Sequence, residues 1–215
     1  MTYLNLVNNV LRRLREAEVS AIDETAYSAL IGDIVNDARQ QVEDSWDWSA
    51  LRTDIVVATV EDTAQYALTG TQNRATVVDA RNTTSNSGLR HKSSRWGRIQ
   101  DLSNNTAKGA PYWYVSDGID GSGDMQVKVY PTPDGVYSLS FHVVQREADL
   151  ADEGDTVDIP TMPIIHLAYA LSARERGEVQ GTTAAEIFGV AKRLLSDAIA
   201  YDSAKNPTDV IFYEV

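Results

Sequence analysis

The hydrophobic period of the chain changes twice. Apolar residues recur at three- and four-residue steps through residues 3–46, alternate with a period of two between residues 53 and 145, and return to helical spacing from residue 163. Leu4, Val7, Val10, Leu11 and Leu14 predict a first amphipathic helix, with Arg12, Arg13 and Arg15 at the end where the helix dipole favours cations. Asp23 or Thr25 caps a second helix, whose apolar stripe runs Tyr27, Leu30, Ile31, Ile34, Val35, Ala38 and Val42. It leads into VEDSWDWSALR, where Trp46, Trp48 and Leu51 crowd the helix–β junction. Two tryptophans two apart on an extended stretch point the same way and are expected to wedge the helical and β parts together.

Strands are predicted at TDIVVATV from Thr53, at TAQYALTG and at ATVVDARN, each rich in β-branched or aromatic residues. Further strands are expected at residues 95–102, 111–116, 125–130 and 136–145. DGIDGSGD carries Asp117, Asp120 and Asp124 among glycines, but its spacing departs from a calcium-binding EF-hand loop, so it reads as a hairpin turn. PTPDG, residues 131–135, is a second turn. Pro163 suits the first turn of a helix carrying Ile164, Ile165, Leu167, Ala168, Ala170 and Leu171 and ending near Arg176 and Gly177. Thr183 with Glu186 reads as a capping box opening a last helix through Ile187, Val190, Leu194, Leu195, Ala198 and Ile199. Asn206 and Pro207 stop it. The apolar run Val210, Ile211, Phe212, Tyr213 then either folds back onto its own domain or adds to another subunit.

This order predicts an α+β fold. A helical bundle formed by the N- and C-terminal helices, residues 1–52 and 159–205, holds an inserted antiparallel β domain, residues 53–158, and a C-terminal tail, residues 206–215.

Charge narrows the function. The 215 residues carry a formal net charge of −12, which argues against nucleic-acid binding as the main activity, because that affinity rests on Lys and Arg displacing counterions from phosphates. An acidic wall would still suit a channel through which DNA slides. The basic residues concentrate at residues 81–108, where Arg90, Lys92, Arg95 and Arg98 stand among Asn, Ser, Thr and Gly, and part of this stretch reads as a long exposed loop that is either merely solvated or binds phosphate or an acidic protein surface. Residues 147–158 are the opposite pole, with six acids and no base, read as a solvated return linker.

No catalytic pattern emerges. The chain has no cysteine, and its three histidines, His91, His142 and His166, lack metal-ligand spacing, with His142 and His166 read as structural. There is no nucleophile elbow, phosphate-binding loop or dinucleotide-binding glycine pattern, and no carboxylate pair placed for glycoside chemistry. Neither a catalytic role nor a cofactor is expected. The amphipathic N-terminus does not read as a secretory signal and no apolar run is long enough for a membrane span, so the protein is expected to be made in a cytoplasm.

The helices ending in SWDWSALR, the β insertion with TAQYALTG, the acidic return into DIPTMP and the paired C-terminal helices together resemble the head-to-tail adaptor (connector) proteins of tailed bacteriophages, of the tail tubular protein A type. The resemblance implies a virion protein of the neck, a homo-oligomeric ring of twelve copies that joins the portal protein to a tail or nozzle protein while genomic DNA passes without specific binding. It places portal contact at Val210, Ile211, Phe212 and Tyr213, and makes Arg90, Lys92, Arg95 and Arg98 candidates for subunit or tail contact. A rival is a carbohydrate- or receptor-binding β module using Trp96, Tyr112, Trp113 and Tyr114.

Overall fold

In the computed structural model, which describes residues 1–103, 107–177 and 181–205, the chain divides into two compact units. One comprises Met1–Leu51 with Glu147–Val215, the other Arg52–Arg146. The architecture is α+β, with the sheets carried by the inserted segment.

The helical unit begins with α1 (Tyr3–Arg13), capped by the Thr2 hydroxyl, and α2 (Ala26–Asp44). Thr25 rather than Asp23 caps α2, and Ser28 completes the reciprocal capping box that glutamate usually supplies. The buried stripe of α2 is Ile31, Val35, Ala38 and Val42; Tyr27 and Ile34 are half-buried, and Leu30, expected on the stripe, is exposed at its edge. After the insertion come α4 (Thr161–Glu175) and α5 (Gly181–Ser203), and α4 packs against α1, α2 and α5. Gly177 ends α4 with a positive φ of 71°, the left-handed conformation that glycine tolerates. Helix α5 already runs at Gly181, so Thr183 lies inside its first turn instead of capping it. Helical Gly and Thr cost about 1 kcal/mol or less each.

The acidic return is more than a solvated linker: most of its acids are exposed, but its backbone and apolar residues dock within the helical unit. Tyr3 and Leu4 donate backbone hydrogen bonds to the carbonyls of Asp155 and Glu153, at 2.8 and 3.2 Å. Leu150, Val157 and Ile159 are buried, and Asn36 brackets Leu150, donating to its carbonyl and accepting from its N–H, both at 3.0 Å. The apolar residues interleaved with the acids escape a reading based on charge alone.

The inserted unit has two four-stranded sheets. One has the order β1-β8-β3-β4, from β1 (Arg52–Ala58), β8 (Ser138–Val144), β3 (Thr76–Asn82) and β4 (Ser87–Gly88). The other has the order β2-β7-β6-β5, from β2 (Gln65–Ala67), β7 (Met125–Tyr130), β6 (Trp113–Ile119) and β5 (Arg90–His91). Pairing is antiparallel except between β5 and β6. The sheets enclose one core in which Phe141, Leu139 and Val143 of β8 meet Tyr114, Val127 and Val129, and the rings of Tyr114 and Phe141 pack edge to face at 5.6 Å. Asp120 accepts from the N–H groups of Ser122 and Asp124, so the glycine-rich segment is the β6–β7 hairpin turn and its first carboxylate serves that turn.

Residues 95–102 are helical, not a strand, and lie within α3 (Ser94–Leu102). The Ser93 hydroxyl caps it, accepting from the N–H of Trp96 at 3.4 Å. Trp96, Ile99 and Leu102 recur at three-residue steps, a helical period that a local search for alternation overlooks. With β4 and β5 before it, α3 also replaces most of the long loop expected at residues 81–108.

Candidate functional site

Helix α3 lies on the face of β6 and β7 turned away from the core, and Gly97 sets how closely. A Cβ at Gly97 would stand 3.1 Å from Val115 Cγ2 and 3.4 Å from the Tyr130 hydroxyl. The inward face of α3 is fixed further along by Asp101, whose carboxylate accepts from the Tyr130 hydroxyl at 3.0 Å and from Lys128 Nζ at 2.6 Å. Desolvation would lower the Lys128 pKa, but the hydrogen bond to Asp101 prevails and holds it above its ordinary value. Trp96 presses edge-on against Trp113 at 5.0 Å and Tyr130 at 5.2 Å.

That packing leaves the opposite face of α3 bare. Arg95 and Arg98 are exposed, and neither has a hydrogen bond or ion pair with a described residue. Ile99 and Leu102 beside them are 51% and 86% exposed. Of the four basic residues singled out in the sequence, α3 therefore brings two to one helix face. Arg90 is exposed on β5, and Lys92 is turned so that its amine lies 5.7 Å from the ring centroid of Trp113.

The four aromatic residues of the rival reading do not form a flat platform. Tyr114 is buried in the core, Trp96 and Trp113 are half-buried against one another, and Tyr112 is exposed. A cavity of about 330 Å³ beside them is bordered by Gln100, Lys108, Tyr112 and Pro131. Lys108 also forms an ion pair with Asp62.

In the helical unit, both tryptophans of the junction are engaged locally. Trp48 is 1% exposed and donates its indole N–H to the carbonyl of Val42 at 2.9 Å. The Trp46 indole donates to Asp202 on α5 at 3.1 Å, and Ser49 donates to the same carboxylate through its N–H at 3.0 Å and its hydroxyl at 2.5 Å. Leu51 is buried at the end of a short 3₁₀ turn. Burial alone would raise the Asp202 pKa, but the donors from Ser49 and Trp46 outweigh it and hold the carboxyl below its ordinary value. A depressed acid contributes stability that is present above its unfolded pKa and lost as pH falls through the folded one. Replacing Asp202 with asparagine is thus expected to cost about 1–3 kcal/mol at neutral pH, and to flatten the acid limb of the stability curve below the ordinary aspartate range. Urea titrations of both proteins from pH 7 to pH 2 measure this; parallel curves would deny Asp202 the role.

Arg39 is the other residue that the sequence reading passed over. It is completely buried on α2, pairs with the equally buried Glu43 at 3.2 Å, and reaches the returning chain at Glu147, Asp149 and the Ala148 carbonyl, the last at 2.7 Å. Its signal was its position next to Ala38 within the buried stripe, four residues before an acid. Burial and then the charge of Asp158 raise the Glu147 pKa, with Arg39 opposing them.

His142 donates a 2.9 Å hydrogen bond from Nδ1 to the Asp54 carboxylate on the outer face of β8, and His166 on α4 faces Arg13 at 3.5 Å. Burial, and secondarily the Arg13 charge, lowers the His166 pKa. Among the described residues, no group of three His, Asp or Glu side chains is arranged to hold a metal ion, and no helix is long and apolar enough to cross a membrane. Val210, Ile211, Phe212 and Tyr213 lie outside the described residues.

The two units and their connections are matched as a whole by one known family. Among curated proteins none matches the chain, whereas the family described as SU10 adaptor protein matches it over residues 1–208. The match spans the helices before and after the insertion as well as the sheets between them, and the chain belongs to the SU10 adaptor protein family of structural phage virion proteins.

Proposed function

We propose that the protein forms a ring of twelve copies in the phage neck, joining the portal protein to a tail or nozzle protein, lining the channel for the genome and providing the platform on which the tail is mounted. The observation that carries this reading is the adaptor-family match across both units. The charge distribution supports it. A net charge of −12 keeps passing DNA from sticking, since the cations that would release phosphate counterions are outnumbered. A cyclic ring joins one surface of a copy to a different surface of the next, and the bare basic face of α3 on an otherwise acidic chain provides two unlike surfaces.

Portal contact is assigned to the tail, residues 206–215, through Val210, Ile211, Phe212 and Tyr213, as the resemblance to the head-to-tail adaptors implies, and their unbroken apolar run suits a segment that adds to another subunit. The test is native mass spectrometry of the full chain alone and with the portal protein of the same phage. A complex with twelve copies per portal is expected. Deleting residues 206–215 is expected to abolish attachment while leaving the circular dichroism spectrum unchanged; undiminished attachment would remove the tail from the interface. Failure of the full chain to join the portal overturns the neck assignment.

A further inference from the structure

The outward face of α3 reads Arg95, Arg98, Ile99, Leu102, which are positions i, i+3, i+4 and i+7 of one helix stripe. Two guanidinium groups without partners among the described residues and two exposed apolar side chains share it. Such spacing is how an amphipathic helix anchors itself in a groove. Solvation alone accounts for the arginines. It does not account for Leu102, which leaves 86% of its surface in water at the end of a helix whose other face is packed against the sheet.

The same chain carries a groove of matching chemistry. In the helical unit a cleft of about 620 Å³ is lined by Asp23, Asp33, Asp152 and Glu153, with Ile22 and Leu150 supplying apolar wall. Asp23, Asp33, Asp152 and Glu153 are all exposed. Exposed acids beside a wall that includes Ile22 complement arginines flanking apolar side chains, chiefly in charge.

We infer that the α3 face of one copy docks into this acidic cleft of a second copy. The inference rests on the ring reading and names the surfaces that would close it. A contact between two α3 faces would set arginines against arginines, so like charge excludes the symmetric pairing and selects the head-to-tail one. Guanidinium groups suit the role because their planar forks hydrogen-bond carboxylates in pairs while the side-chain stem covers apolar surface.

The absence of cysteine from the chain makes the contact directly testable. Chains carrying Leu102→Cys and chains carrying Glu153→Cys are mixed under assembly conditions, with the portal protein as template, and treated with a short bis-maleimide. An intermolecular product joining the two different chains is expected, and neither chain alone should form it. Arg95→Glu with Arg98→Glu should raise the concentration needed for assembly by about tenfold or more, and Asp152→Arg with Glu153→Arg in the second chain should recover it. Both arginines are exposed, so an unchanged circular dichroism spectrum separates lost docking from lost folding.

If rings form but yield no cross-link, or if the arginine variant assembles as well as the unaltered chain, the contact is overturned and the ring reading stands. If the arginine variant forms normal rings that no longer take a tail, the face belongs to the tail, and the contact between copies is again overturned. If the unaltered chain forms no ring with or without portal, both fall together.

Discussion

Replacing Arg39 with methionine is expected to destabilise the helical unit by about 3–5 kcal/mol, the usual cost of stranding one member of a buried ion pair. Arg39 and Glu43 have fully buried side chains one turn apart on α2, so the lost cation takes from Glu43 an ion-pair partner at 3.2 Å in a place water does not reach. The same guanidinium ties down the returning chain, where it donates to the Ala148 carbonyl and faces Glu147 and Asp149. Glu147 already has a raised pKa from burial and from Asp158, and loses the one neighbour opposing that shift. An acid whose folded pKa is raised gives up stability as pH climbs from its unfolded value through its folded one, so the defect should deepen on going from mildly acidic to neutral pH. A second substitution tests the cause. Arg39→Met with Glu43→Leu should recover part of the loss, because it removes the buried Glu43 charge together with its partner, while the ties to Glu147, Asp149 and the Ala148 carbonyl stay broken. Urea denaturation at pH 5 and pH 7 reads all three proteins, and a double variant no more stable than the single one would show that the loss does not come from the Arg39–Glu43 pair.

Replacing Phe141 with alanine is expected to cost the inserted unit a similar amount, about 3–5 kcal/mol. Phe141 is wholly buried on the central strand β8, paired in register with Ile55 on one side and Ala80 on the other, and it meets Tyr114 across the core. Its removal opens a cavity where two sheets face each other, and the paired strands hold the walls apart. Amide hydrogen exchange followed by peptide mass spectrometry places the effect. Protection should fall across β6, β7 and β8 while α2 keeps its own, since each unit has an independent core. Equal loss of protection in α2 would mean that the two units open as one.

How much of this was legible in the sequence differs by element. The stripe on α2 and the alternation of β1, β3, β7 and β8 are strong periodic signals set by which face each element buries, and they are found where the spacing puts them. Residues 95–102 misled because a window that short holds one tryptophan, one isoleucine and one leucine. Only Gly97, which lets the helix approach Val115, and Asp101, which receives Lys128 and Tyr130, determine that it lies on the sheet as a helix. The charged residues misled in a more general way. Composition marked residues 147–158 as solvated, yet Glu147 and Asp149 answer an arginine more than a hundred positions earlier.

The sequence by itself determined the two periodicities, their order along the chain and the acidic excess, because burial on one side of a helix or strand imposes a repeat that needs no knowledge of the partner. Tertiary structure decided what each charge does. Arg39 is a buried tie, Asp202 holds α5 to the Trp46–Ser49 turn, Lys92 covers an indole, and Arg95 and Arg98 stand exposed beside Ile99 and Leu102 without a partner among the described residues. The energy of a charge depends on its desolvation and on partners brought from far along the chain, and neither is written in its neighbours in sequence.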